Sequence, residues 1–320
     1  LPLVVAIEES ILPIVLISTD SGVLLYAESR QAGVELADHK VGALVKGPDS
    51  SLLAVVDESE IWSRSPAGKW ARIAIADIAL QSLAFARGII YAGGMDMAAM
   101  MRVLPDGKTE RLQSFDLVEG REEWFAGGPP LGIRSLCSTS DEATILAGVH
   151  VGGIPVSSDQ GGSWMPTLPV KFDVHEVRSH PSRNNLVAAA AAVGLCISDD
   201  AGKTWKVFSK ELEAGFAEFT CLAVAVLENE VLFSVQQSPF ARRSQIWKWG
   251  IGSSHVQQVK DGLPEWLGGR VDTGGVATGY GKAAIVDCGG SLWISAEGAI
   301  GWKKVAEDLP YAWGTAIVES

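Results

Sequence analysis

Five histidines occur in the 320-residue chain, and two stand where an imidazole can do chemistry. His150 lies in Gly148-Val149-His150-Val151-Gly152-Gly153, and His175 in Asp173-Val174-His175-Glu176. Imidazole titrates near neutral pH, so the pair can serve as acid and base, with Asp173 or Glu176 orienting the rings. The same groups have the composition of a divalent-metal site, with His150 and His175 as ligands and a carboxylate completing the set. Arg134, Arg242 or Arg243, and Arg270 near Asp272 present planar forks that suit an anionic group. Trp124, Trp266 and Trp313 offer faces on which a sugar ring can stack. The plainer expectation for each imidazole is a hydrogen bond to a backbone carbonyl at a strand end. His180, in Ser179-His180-Pro181-Ser182, falls further along and reads as structural.

Two stretches reveal what positions these groups. Ser157-Ser158-Asp159-Gln160-Gly161-Gly162-Ser163-Trp164 and Ser198-Asp199-Asp200-Ala201-Gly202-Lys203-Thr204-Trp205 share the pattern Ser-x-Asp-x-Gly-x-x-Trp, with their tryptophans 41 positions apart. Glycine takes a positive φ at a tight turn, a short Asp bonds nearby N–H groups, and the Trp folds under the turn. Fainter copies end at Trp70 and Trp302, and turns near Gln31-Ala32-Gly33, Asp106-Gly107 and Gly250-Ile251-Gly252 fill the intervals. That makes about seven units of propeller-blade length. The predicted fold is therefore all-β, a seven-bladed β-propeller forming one domain over residues 1–320, with six or eight blades as the neighbouring alternatives. Apolar runs such as Leu52-Leu53-Ala54-Val55-Val56 and Val231-Leu232-Phe233-Ser234-Val235 read as buried inner strands. Residues 186–197 are too short to span a bilayer and are split by Gly194 into two strands. Residues 209–217 suit a short helix. Residues 311–320 read as a strand that could latch the ring against residues 3–7 or 14–17.

The two stretches resemble the Asp-box (BNR) repeats of sialidases, xyloglucanase-like glycoside hydrolases and related propellers. The resemblance covers mainly residues 133–212 and is nearest to BNR-like proteins grouped with the glycosyl hydrolases. It implies that Asp159 and Asp200 are structural, on the face away from the active site. Sialidase chemistry itself is not expected: the Arg-Ile-Pro string is missing, its nearest match being Gly153-Ile154-Pro155, and no Tyr–Glu arrangement is evident. Propeller ligands bind where the ring opens. The loops entering the innermost strands, together with those joining second and third strands, bring Trp124, Arg134, Asp173, His175, Glu176, Arg270, Asp272, Tyr311 and Trp313 to that mouth, with His150 and Arg242. Blades 4 and 5 are the richest, and the Pro-rich residues 126–132 would stiffen the rim. Two readings follow. One is a hydrolase or lyase acting on a sugar-like or anionic small molecule; the other is a non-catalytic scaffold for protein or glycan.

The net charge of −12 argues against nucleic acid or an anionic membrane as partner. Four cysteines, at 137, 196, 221 and 288, form no CxxC and no disulfide framework, which points to a reducing compartment, the cytoplasm. The sequence begins at Leu1, which leaves room for a removed leader. Gly279-Tyr280-Gly281-Lys282-Ala283-Ala284 mimics half a dinucleotide fingerprint without a βαβ unit around it, and the methionines of residues 95–101 read as gap-fillers.

Overall fold

The computed structural model describes residues 13–27, 30–125 and 131–319. The Ser-x-Asp-x-Gly-x-x-Trp stretches close hairpins by local bonding. The Ser157 hydroxyl donates to Asp159 Oδ1 at 2.8 Å and accepts the Gly161 N–H at 2.9 Å. Asp159 also accepts the N–H and hydroxyl of Ser163. Asp200 holds Ser198, Lys203 and Thr204 in the same manner. Gly161 and Gly202 sit at φ +83° and +86°, in the left-handed region that a side chain disfavours.

These hairpins belong to seven four-stranded antiparallel sheets, the blades of a seven-bladed β-propeller. Blade 2 comprises Val41–Lys46, Leu52–Val56, Glu60–Arg64 and Trp70–Ile75. Blade 3 comprises Leu80–Ala86, Ile89–Gly94, Met100–Val103 and Thr109–Arg111. Ile133–Ser138, Ile145–Val149, Ile154–Ser157 and Met165–Leu168 form blade 4. Val174–Ser179, Val187–Ala191, Gly194–Ser198 and Lys206–Phe208 form blade 5. Blade 6 holds Val224–Val226, Glu230–Val235, Gln245–Gly250 and Gln257–Gln258, and blade 7 holds Val276–Gly279, Lys282–Val286, Leu292–Ile294 and Lys303–Ala306. Blade 1 is composite: Gly314–Val318 lies innermost, followed by Ile14–Thr19, Gly22–Ala27 and Arg30–Glu35. The latch therefore pairs with Ile14–Thr19, from Ile14 opposite Val318 to Ser18 opposite Gly314. Residues 3–7 and 126–130 lie outside the described residues.

The core is a ring of seven apolar layers, each between two neighbouring blades. A blade thus buries both faces, which explains the continuous apolar runs. Those runs are second strands rather than innermost ones; Leu52–Val56, Ile145–Val149 and Val187–Ala191 are buried at every residue. The helix expected near residues 209–217 spans Lys210–Gly215. Gln31, Ala32 and Gly33 lie inside the strand Arg30–Glu35, not at a turn; a register shift there accommodates the small residues. Trp205 is only half-buried, unlike Trp164, and its indole N–H is shared between Gly202 O and Thr167 Oγ1. Among the described residues no helix is long and apolar enough to cross a membrane.

Candidate functional site

Four consecutive innermost strands share one irregularity. Pairing with the second strand skips between Val41 and Leu44, Leu80 and Ser82, Ile133 and Ser135, and Val174 and Glu176. The residues left over are Gly42-Ala43, Gln81, Arg134 and His175. A bulge frees its residue from the ladder and re-aims the side chain. Gln81 and Arg134 consequently line a cavity of about 120 Å³ in the central channel.

The remaining polar lining includes Lys40, Glu58, Arg178, Asp272, Tyr311 and Trp313. Most of these charges are paired. Lys40 Nζ meets Glu58 Oε1 at 2.8 Å and lies 4.6 Å from the centre of the Trp313 ring. Arg178 pairs with Glu176. Arg270 Nε and the Tyr311 hydroxyl both donate to Asp272 Oδ2, at 3.2 and 3.1 Å. Burial, reinforced by the charge of Asp272, raises the Tyr311 phenol above its ordinary value. Arg134 differs: its ion-pair contact, Asp272 Oδ1, is 3.9 Å away, too far for a hydrogen bond.

His150 and His175 come together from neighbouring blades, their ring centres 6.4 Å apart. Each Nε2 lies 3.6 Å from a different oxygen of Asp173. Both rings are buried, and the cavity lining includes neither of them nor Asp173. Burial, with the charge of Arg134, pushes His175 down to about 4; burial likewise lowers His150 against the opposing pull of Asp173. Both imidazoles are thus neutral at pH 7. Asp173 holds a left-handed backbone at φ 48°, as does the β-branched Val151 at φ 47°, so the backbone on both sides of the pair is strained. Among the described residues no group of three or more His, Cys, Asp or Glu side chains is arranged to hold a metal ion. The cation of Arg134, close enough to depress both imidazoles, opposes a second cation there.

The other nominated residues separate. Glu176 is fully buried, and its carboxylate accepts the N–H groups of Val224 at 2.8 Å and Gly274 at 3.2 Å besides pairing with Arg178. It ties blade 5 to blade 6 and to the segment leading into blade 7. Trp124 packs between blades 3 and 4, against Phe115 and beneath Arg121, so it offers no free face. Trp266 is covered by the Arg243 guanidinium at 4.1 Å. Arg242 is exposed on the loop after blade 6's second strand, apart from the cavity lining. His180, expected to be structural, bonds Glu228 O at 3.0 Å. Lys40, Glu58, Gln81 and Arg178 were missed. Gln81 had a signal: it holds on blade 3 the position that Arg134 holds on blade 4.

No protein-family model matches the chain, and no curated protein is similar to it in sequence. Solved structures share its fold. The computationally designed Ika8 protein is 13% identical with a TM-score of 0.56, covering 93% of this chain and 85% of that one. An ancestral GH74 enzyme is 14% identical with a TM-score of 0.60; the match covers 87% of this chain but 38% of the enzyme, so the chain spans well under half of its length. The Cps50 (Swd1) β-propeller domain of Myceliophteria thermophila is 11% identical, with a TM-score of 0.55 and coverage of 84% and 87%. At these identities the likeness is one of fold.

Proposed function

We propose that this chain is an Asp-box propeller that binds a small anionic ligand at the mouth of its central channel. The carrying observation is Arg134. It lines the cavity, while its neighbours Arg178, Arg270 and Lys40 are each already paired with a carboxylate at close range. A guanidinium held in a partly dry cavity without a hydrogen-bonded counter-ion favours an anion that supplies one. The hairpin bonding of Asp159 and Asp200 supports the Asp-box part of the reading, and places those carboxylates in turns rather than at the cavity. Calorimetric titration with small anions tests it. Wild type should bind, Arg134→Gln should weaken binding about tenfold or more, and the melting temperature should barely move. Following ligand consumption in the same mixtures tests turnover by a hydrolase or lyase.

A scaffold reading for protein or glycan is favoured by one feature, Phe240, which is 79% exposed between Pro239 and the arginines at 242 and 243. A reducing compartment such as the cytoplasm suits all four cysteines, which are free thiols. Burial pushes Cys137 and Cys196 up to about 12, keeping them protonated and unreactive.

A further inference from the structure

Arg134 belongs to two neighbourhoods. It lines the channel cavity, and its charge also bears on His150 and His175. The backbone accounts for this double position. The N–H of His150 bonds Gly132 O at 3.0 Å, two residues before Arg134, and His175 occupies the bulge of the next innermost strand. The histidine pair is also short of a proton. His175 commits its Nδ1–H to Cys221 O, so its bare Nε2 faces Asp173 Oδ2 at 3.6 Å, acceptor against acceptor. Asp173 Oδ1, which is 3.6 Å from His150 Nε2, and His150 Nδ1 are both buried without a hydrogen bond. Unpaired polar groups of this kind are costly to bury. One proton on Nε2 of His175 would turn the first contact into a donor facing an acceptor of opposite charge.

We infer that anion binding at Arg134 brings a proton with it: the anion cancels the guanidinium charge, and solvent then delivers one proton to the His150–Asp173–His175 cluster, at Nε2 of His175. This rests on the anion site proposed above and adds its control by pH. The other groups facing the pair are already committed. Glu176 and Arg178, further along the strand of His175, neutralise each other. On the segment before blade 7, Asp272 is held by Arg270 and Tyr311, and the Thr273 hydroxyl donates to the His175 carbonyl at 3.3 Å. On the segment before blade 6, burial keeps the Cys221 thiol protonated. Arg134 and Asp173 are left as the charges that decide the titration. The ring centres are 6.4 Å apart, so a charge on one ring opposes a charge on the other, and the cluster takes a single proton. Burial and then Arg134 hold His175 at about 4. Cancelling the guanidinium charge moves it part of the way back toward about 6.5. Uptake falls between those limits, and anion affinity rises as the pH drops through them.

The test is calorimetric titration of the whole protein with sulfate and with formate at pH 7.5, 6 and 5, at one ionic strength. Both probes keep their charge over this range. Each titration is run in two buffers of different ionisation enthalpy, so that the difference in heat counts protons taken up. Uptake should be near zero at pH 7.5 and a substantial fraction of one proton per anion at pH 5, with affinity about fivefold higher there. His175→Asn, which keeps a donor for Cys221, should remove most of the uptake and flatten the pH dependence. Should that variant unfold, nitrogen NMR of the wild-type imidazoles gives the same readout, since sulfate should raise the titration midpoint of His175. Binding that is lost in Arg134→Gln, yet takes up no proton and keeps one affinity from pH 7.5 to 5, would overturn the coupling and leave the anion site standing. Uptake undiminished in His175→Asn would place the proton on another group and overturn the coupling as well. Binding of neither probe would remove the anion site and the coupling with it.

Discussion

The Nδ1–H of His175 donates to the carbonyl of Cys221 at 2.9 Å. A carbonyl oxygen only accepts, so the proton sits on Nδ1 and the neutral ring carries its lone pair on Nε2. That lone pair lies 3.6 Å from an oxygen of Asp173 and within the field of Arg134. One backbone bond from blade 5 to the strand-leading segment of blade 6 therefore sets the tautomer of the buried imidazole.

Stability should fall in acid for this reason. His175 has its folded-state pKa lowered to about 4, against about 6.5 in the unfolded chain. The unfolded state takes up the proton first, so stability is full above about pH 6.5 and declines as pH falls toward about 4. The loss assigned to this ring is about 3 kcal/mol. His175→Asn keeps a donor for Cys221 but cannot titrate. Urea midpoints at pH 7.5 and 4.5 should therefore differ less in the variant than in wild type; equal differences would mean that the ring is not held neutral.

The hairpin tryptophans should differ in weight. Trp164 is buried edge-on against Phe115 at 4.9 Å, and Trp164→Ala should cost about 3–5 kcal/mol. Half-buried Trp205 should cost less, about 2–3 kcal/mol when cut to Ala. Asp200→Ala should cost about 1–2 kcal/mol through lost turn bonds. Chemical denaturation measures all three, and anion binding by the folded variants should be unaltered.

Glu176→Gln should destabilise by about 3–5 kcal/mol, because it strands the Arg178 charge and turns an amide N–H toward backbone donors. Adding Arg178→Met should recover part of the loss, since the half-buried guanidinium is then no longer left without its carboxylate. A double-mutant cycle reads the coupling directly. Additive losses would mean that the two side chains do not depend on each other.

Removing residues 312–320 deletes the innermost strand of blade 1. The loss should be on the order of 5 kcal/mol or more, comparable with the whole stability of many domains. Circular dichroism on heating should show the cooperative transition lowered or lost. An unchanged melt would place the closure elsewhere.

The blade count was legible because its signal is local: Ser157, Asp159, Gly161 and Trp164 bond and pack within one turn, so the motif survives in the residue string. The adjacency of His150 and His175 was legible too, since equivalent loops on neighbouring blades must meet. Burial of those rings was not, because it depends on how Arg134 and Asp173 fill the space around them. The lining residues Arg134, Asp272, Tyr311 and Trp313 were legible from their loops, whereas Gln81 was hidden by the bulge that frees it. Strict alternation assigns each residue to one face, and an extra residue breaks that parity without any mark in composition. Trp124 and Trp205 mislead in opposite ways, for a loop tryptophan and a hairpin tryptophan look alike in sequence.

The composite blade also orders events during synthesis. Gly314 bonds Ser18 across 296 residues, so Ile14–Thr19 leaves the ribosome long before its inner partner exists. Until then Ile14–Thr19 is an unpaired edge, with Leu16 and Ile17 open to wrong partners. Tyr311 and Trp313, which border the cavity, arrive with that same late segment. An unfinished chain accordingly has neither a closed ring nor a complete mouth, and both appear only with the strand that also hides the sticky edge.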